Sequence, residues 1–70
     1  MTNIRGLVRE LLVTYMNTHN TNHVCISEFK KEFQPLLPKV DVYRSVYHIG
    51  SHDFGFRIEN DGVDTFVVMD

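Results

Sequence analysis

The first apolar pattern in the chain has the spacing of one face of an α-helix. In the segment IRGLVRELLVTYMN, apolar residues recur at i, i+3, i+4, i+7, i+8, i+11 and i+12. They are Ile4, Leu7, Val8, Leu11, Leu12, Tyr15 and Met16. Asn3 can cap the start of this segment, and the polar residues 17–22 form a loop after it. The pattern therefore predicts an amphipathic first helix whose apolar face is buried.

A short strand and a second helix are predicted next. Residues 23–26 are a β-prone run, and Ser27 directly after them can act as the N-cap of the segment ISEFKKEFQ. Phe29 and Phe33 are four residues apart and lie on one side of such a helix. We therefore expect both phenylalanines to face the core.

The third helix is predicted from a start signal and a stop signal. Pro35 breaks the second helix, and Pro38 prevents its continuation. Asp41 can then cap the segment VYRSVYHI, and Gly50 can end it in the C′ position. The apolar face of this helix consists of Val42, Val46 and Ile49. The β-branched residues of the segment also suit a strand, which is the alternative.

The C-terminal part of the chain has the pattern of a β-hairpin. The runs FGFRIE and VDTFVVM are strand-like, and the turn-forming residues Asn60, Asp61 and Gly62 join them. A two-residue Asp-Gly turn would set Glu59 opposite Asp64, and like charges in that position repel each other.

A three-residue loop with Gly62 in the left-handed conformation avoids this repulsion. It pairs Phe56 with Phe66 and Arg57 with Thr65, and we expect this register. The core residues that this arrangement predicts within the segment VYRSVYHIGSHDFGF are Val42, Val46, Ile49, Phe54 and Phe56.

The order helix, strand, helix, helix, hairpin resembles the winged-helix family. The resemblance covers residues 1–70 as one domain and implies an α+β fold, in which three helices pack with a small antiparallel sheet in the order α-β-α-α-β-β. The second and third helices would form a helix-turn-helix, and the hairpin loop would be the wing. The segments IRGLVRELL and VCISEFKKEF are also similar to the opening of LOTUS (OST-HTH) domains. That similarity implies an RNA-binding or helicase-docking module of ribonucleoprotein granules, although VYRSVYHIGSHDFGF lacks the Gly-Tyr-containing turn of those domains.

Length and cysteine content restrict the class of protein. A domain of 70 residues buries only about 60 per cent of its unfolded surface, so nearly every large apolar residue is needed for the core. The single Cys25 excludes an internal disulfide and favours the reducing cytoplasm or nucleus. No apolar run is long enough to cross a membrane, and Arg5, Arg9 and Glu10 interrupt what would be the core of a signal peptide. We therefore expect an intracellular domain without membrane association.

Charge is distributed unevenly along the chain. The net charge is −2, but residues 1–52 carry six Lys/Arg against four Asp/Glu, whereas residues 53–70 carry one Arg against five Asp/Glu. The C-terminal segment would therefore repel a phosphate backbone that the rest of the chain tolerates. Protonating the four histidines would change the net charge to +2, so electrostatic binding should respond to mild acid.

Metal binding and catalysis have little support in the sequence. The potential zinc ligands are His23, Cys25, His48 and His52. Their spacing matches no standard zinc site, and the alternative is a buried Cys25 with surface histidines. Cys25 and a histidine also match no known nucleophile and base signature, and the glycines form no phosphate-binding loop. We predict no cofactor, no metal site and no enzymatic activity.

Two surfaces are candidates for binding another macromolecule. The nucleic-acid candidates are Arg44, Ser45 and His48 on the third helix, with Lys30, Lys31 and Lys39. The lysines equally fit an ordinary solvated helix face. The protein-docking candidates are Tyr43, Tyr47 and Arg44, because tyrosine and arginine are enriched in interface hot spots.

The sequence therefore predicts a non-catalytic module that binds a protein in a nucleic-acid-associated assembly. Direct binding of DNA or RNA is the alternative. A second alternative is self-assembly into a homo-oligomer through an exposed strand edge.

Overall fold

The computed structural model describes residues 4–70, with side chains from residue 6 onward. Helix α1 spans Ile4–Thr18, so the predicted Asn3 cap lies outside the described residues. The side chains that α1 buries completely or nearly so are Val8, Leu12 and Met16. The helix ends in a turn in which Asn20 has φ 52° and the N–H of Thr21 donates to the carbonyl of Met16 at 2.9 Å. The predicted amphipathic first helix is confirmed, but Leu7 of its predicted buried face is 40% exposed.

Strand β1, His23–Cys25, runs directly into helix α2, Ile26–Phe33. Cys25 occupies the N-cap position with extended backbone angles, so the prediction that Ser27 caps this helix is wrong. The physical reason is Ile26, whose side chain is completely buried. Burying such a side chain stabilises by about 1.5–3 kcal/mol, whereas an N-cap side chain contributes about 1 kcal/mol.

The aromatic residues of α2 pack as the sequence predicts. Phe29 is completely buried, and Phe33 packs against the core beside it with ring centroids 4.5 Å apart. Tyr15 of α1 meets the edge of the Phe29 ring at a centroid distance of 5.4 Å. These contacts join α1 to α2.

A half-buried glutamine organises the connection between α2 and the next helix. Gln34 begins the 3₁₀ helix Gln34–Leu36, and its side-chain amide donates to the carbonyls of Leu37 at 2.9 Å and Val40 at 2.6 Å. Its side-chain oxygen accepts the N–H of Val42 at 3.2 Å. One side chain thus bonds three backbone groups of the connection and of the start of the next helix.

Helix α3 spans Val42–His52 and starts as predicted. The carboxylate of Asp41 accepts the N–H of Arg44 at 3.0 Å, which confirms Asp41 as the N-cap. The interpretation of the segment as a strand is thereby excluded.

The role predicted for Gly50 is wrong. The helix continues past Gly50 to His52, and Gly50 is buried in its interior. A β-carbon at this position would overlap Ile58 Cδ1 and would lie 3.0 Å from Ile58 Cγ1 and 3.2 Å from Val67 Cγ2. Gly50 is therefore a point of close approach between helix and sheet, and does not end the helix.

Strands β2, Phe56–Asn60, and β3, Thr65–Met69, form the hairpin, and the sheet is antiparallel with the order β1-β3-β2. The predicted register is wrong: Phe56 lies opposite Met69, and Glu59 lies opposite Phe66. The observed register places Ile58 opposite Val67 on the face that packs against the helices.

A four-residue loop causes this difference in register. The carboxylate of Asp61 accepts the N–H groups of Val63 at 2.9 Å and Asp64 at 2.8 Å, which closes a loop of residues 61–64. The predicted loop spans residues 60–62, so the partner of Phe56 shifts by three residues, from Phe66 to Met69. Gly62 has φ +92°, so its left-handed conformation is confirmed.

Phe54 is fully exposed, so its predicted place in the core is also wrong. The N–H of Phe56 donates to the carbonyl of Asp53 at 3.3 Å, and Gly55 between them has φ +89°. This geometry is that of a type II turn with glycine at its third position. Phe54 occupies the second position, at the corner that projects into solvent.

The predicted fold class and element order are confirmed. Residues 4–70 form three α-helices, one short 3₁₀ helix and a three-stranded antiparallel sheet, in the order α-β-α-α-β-β. The core lies between the helices and one sheet face, and contains Val42, Val46 and Ile49 as predicted. No helix within the described residues is long and apolar enough to span a membrane.

Candidate functional site

One side of α3 brings three of the predicted nucleic-acid candidates together. Arg44, Ser45 and His48 line an open depression of about 230 Å³, together with the capping residue Asp41. Their spacing places all four residues on the same side of the helix. The depression therefore combines one guanidinium and one imidazole with a hydroxyl and a carboxylate.

Two of the predicted lysines lie in a different place. Lys30 and Lys31 border an open groove of about 600 Å³ beside α2, and the residues Ser27, Gln34, Pro35 and Pro38 complete its lining. Lys39 is exposed in the turn before α3 and lines neither concavity. The six candidates thus form one group of three, one pair and a separate lysine.

The acidic residues of α2 act on a tyrosine of α1. Burial raises the pKa of Tyr15, and the negative charges of Glu32 and Glu28 raise it further. These glutamates are therefore close enough to α1 to act on its tyrosine, while Lys30 and Lys31 border the groove. The charges of α2 are segregated around its axis.

The two tyrosines predicted for protein docking differ in exposure. Tyr43 is half-buried and packs against the core, whereas Tyr47 has 46% of its surface exposed. Arg44 is exposed between them in sequence. Tyr47 is therefore the better placed of the two to contact another molecule.

Phe54 is a candidate that the sequence reasoning missed. It follows the end of α3 by two residues and is 100% exposed. The signal that identifies it is the Phe-Gly pair directly after the helix, because glycine at the third position of a type II turn leaves the preceding residue at the solvent corner. Tyr47 and Phe54 together provide two exposed aromatic side chains between the middle of α3 and the turn that follows it.

Much of the acidic C-terminal segment is paired with arginine. Arg57 contacts Glu59 Oε2 through Nη2 at 2.8 Å, and its Nη1 contacts Asp70 Oδ1. Hydrogen bonds to Asp70 and then to Glu59 raise the pKa of Arg57. Arg9 of α1 lies 3.7 Å from Asp53. The repulsion of phosphates expected from the sequence is therefore concentrated at the hairpin tip, where Asp61 and Asp64 are exposed.

The four potential zinc ligands do not form one site. His23 lies on the sheet and stacks on Phe66 at a centroid distance of 4.4 Å, while the His48 and His52 rings of α3 lie 4.4 Å apart. Across residues 4–70, no three His, Cys, Asp or Glu side chains come together in a way that could hold a metal ion.

The chain matches no protein-family model, and comparison with curated proteins and with solved structures also gave no match.

Proposed function

We propose that this chain is a non-catalytic winged-helix module that docks a protein partner through Tyr47 and Phe54. The element order and the sheet order β1-β3-β2, with a hairpin in the position of a wing, support the winged-helix assignment. The similarity of the first two helices to LOTUS domains supports a place in a nucleic-acid-associated assembly of the cytoplasm or nucleus.

The complete exposure of Phe54 is the observation that carries the docking proposal. A domain of this size needs its large apolar residues for the core, yet this ring contributes no burial to the fold. Transfer of a phenylalanine side chain from water into an interface stabilises by about 1.5–3 kcal/mol. An aromatic side chain has only two χ angles and therefore loses little conformational freedom on binding.

Tyr47 and Arg44 of α3 are also exposed and belong to the residue types that dominate interface hot spots. Tyr47 lies in the middle of α3 with about half of its surface exposed. Arg44 is exposed on the same helix and can pair with an acidic group of the partner. The expected partner surface is therefore apolar at its centre and acidic at its rim.

A pull-down from cell lysate with matched variants tests this proposal. We expect Phe54→Ala and Tyr47→Ala to lose specific proteins that the unchanged domain retains. Leu36→Ala is the control, because Leu36 is an apolar residue of the 3₁₀ helix with 70% exposure and lies outside the proposed surface. Equal capture by all four proteins would contradict the proposal, provided that circular dichroism shows each of them to be folded.

Direct binding of nucleic acid is the second candidate, and the depression lined by Arg44, Ser45 and His48 supports it. These side chains can donate hydrogen bonds to phosphates or base edges. Lys30 and Lys31 in the neighbouring groove along α2 would add contacts to the backbone.

Fluorescence anisotropy with single-stranded RNA and duplex DNA across a salt series tests this second candidate. If phosphates are bound, the combined variant Arg44→Ala, Lys30→Ala and Lys31→Ala should bind more weakly, and its salt slope should fall by roughly 0.7–0.9 for each phosphate that the variant no longer neutralises. Lys39→Ala removes one positive charge outside both concavities and should reduce the salt slope less than the combined variant does. No binding at low salt would exclude direct recognition.

A further inference from the structure

The edge of the sheet at β2 has main-chain groups directed away from the protein. In the described part of the chain, β2 pairs with β3 on one side, and β2 is the last strand of the sheet. The N–H of Asp70 donates to the carbonyl of Gly55 at 2.8 Å. This bond shows which facing residues along the two strands are hydrogen-bonded pairs and which are not. Hydrogen-bonded pairs recur at every second residue, so Arg57 and Glu59 bond toward β3. The N–H and C=O groups of Ile58 and Asn60 therefore point outward from the edge.

The sequence of β2 is complementary to itself when two copies run antiparallel. A two-fold axis through Ile58 sets Ile58 against Ile58 of the second copy, and it sets Arg57 against Glu59 of the second copy. The same axis sets Glu59 against the second copy's Arg57. In a symmetric pair of this kind, the directly facing residues thus form two opposite-charge pairs and no like-charge pair.

The direction of the main-chain N–H and C=O groups of β2 agrees with this register. Because the main-chain groups of Ile58 point outward, the two Ile58 residues would form a hydrogen-bonded pair across the axis. Arg57 and Glu59 of the second copy then occupy a non-hydrogen-bonded pair, in which facing side chains approach most closely. Both side chains are about half exposed and lie on the sheet face opposite the helices.

We propose that two copies of this chain associate through β2, in antiparallel register about Ile58, to form one continuous six-stranded sheet. The strand Phe56–Asn60 contains no proline, and proline is one device by which natural proteins block an edge. Its charges discourage pairing with unrelated strands, and in this one register they attract. The inference is argued from the main chain and the charges of β2 and does not depend on the proposed protein docking.

A charge-exchange experiment tests the register. Arg57→Glu gives each copy two acidic residues on β2, and Glu59→Arg gives each copy two arginines. Either variant alone should dimerise at least about tenfold more weakly than the unchanged chain, because like charges then face each other twice. An equimolar mixture of the two variants should dimerise again, because every facing pair is then opposite in charge. Sedimentation velocity over a concentration series measures all three.

The mixture is decisive because each variant also breaks the ion pair between Arg57 and Glu59 within its own chain. A mixture that stays as monomeric as the separate variants would overturn the proposed register. Variants that dimerise as well as the unchanged chain would overturn it too, as would an unchanged chain that remains monomeric at millimolar concentration. Circular dichroism of each variant verifies the fold.

Amide hydrogen exchange gives a second test on the unchanged chain. Raising the protein concentration should slow exchange at Ile58 and Asn60, whose N–H groups point to the edge. Exchange at Arg57 and Glu59, whose N–H groups already bond to β3, should change little. Equal slowing at all four positions, or no slowing at Ile58, would contradict pairing through this edge.

Discussion

The two faces of α3 differ in burial and therefore in what they contribute to the protein. The inner face carries Val46, Ile49 and Gly50, which are buried against the rest of the fold. The outer face carries Arg44 and Tyr47, whose exposure means that they contribute little to the core. The same eleven residues thus hold the domain together on one side and offer chemistry on the other. Stability measurements should respond to the inner face, and binding measurements should respond to the outer one.

The largest difference between the faces is expected for truncation of Ile49 and Tyr47. Ile49→Ala removes a completely buried side chain and should lower the free energy of unfolding by about 2–5 kcal/mol. A 70-residue domain has a total stability of roughly 4–10 kcal/mol, so this variant should be at least partly unfolded under mild denaturant. Tyr47→Ala should change stability by only about 0.5 kcal/mol while weakening protein capture. Urea denaturation followed by circular dichroism measures both variants.

The close approach of α3 to the sheet gives the next largest effect. Gly50→Ala places a β-carbon against Ile58 and Val67, and overpacking of this kind costs about 1–3 kcal/mol. The higher helix propensity of alanine offsets up to about 1 kcal/mol of this cost, so we expect a net loss of about 1–2 kcal/mol. Ile58→Val removes the Cδ1 atom that the new β-carbon would overlap. The double variant should therefore be more stable than the sum of the two single changes predicts. If the stability changes of the two single variants add up to that of the double variant, the contact with Ile58 Cδ1 is not what makes Gly50→Ala destabilising.

Helical spacing and the Asp41 cap were predicted correctly, whereas the contact between helix and sheet at Gly50 and the hydrogen bonds of the hairpin loop were not. The apolar spacing of α1 and α3 and the cap at Asp41 are encoded within single segments. The role of Gly50 depends on Ile58, which belongs to another element of the chain. The hairpin register depends on hydrogen bonds inside the loop, where the Asp61 carboxylate accepts two backbone donors. Residue spacing alone does not distinguish these alternatives.

The candidate site shows the same division. Helical spacing was sufficient to group Arg44, Ser45 and His48 on one side of α3. It did not separate Tyr43 from Tyr47, because both flank the buried face and only packing decides which ring is covered. Phe54 was assigned to the core on hydrophobicity, whereas the turn formed with Gly55 places it in solvent. Turn chemistry outweighed hydrophobicity at that position.

The starts of α2 and α3 allow a comparison of two polar residues that the sequence predicts as N-caps, of which only Asp41 caps its helix. Asp41→Ala should lower stability by about 1 kcal/mol, because the carboxylate accepts the N–H of Arg44. Ser27→Ala should have little effect, because Ser27 lies inside α2 and the N-cap position belongs to Cys25. Asp41→Asn keeps an accepting oxygen and should restore most of the loss. Thermal unfolding measures all three variants, and an equal loss for Ser27→Ala and Asp41→Ala would contradict the observed helix start.

The smallest effect is expected at the hairpin tip, which contrasts with α3 in having no buried side chain along residues 61–64. Hydrogen bonds from the N–H groups of Asp64 and then Val63 lower the pKa of Asp61 below its ordinary value of 3.8. A carboxyl group whose pKa is lowered by folding stabilises the folded state above its unfolded pKa, and this contribution is lost as pH falls through the folded pKa. Acidification below about pH 4 should therefore loosen the loop, and the amide NMR signals of Val63 and Asp64 should shift together. Asp61→Asn keeps an acceptor without the charge and should remove this acid transition. Asp64→Asn is the matched control and should leave the transition in place. Loss of the transition in Asp64→Asn, with its retention in Asp61→Asn, would contradict the assignment of the loop contact to Asp61.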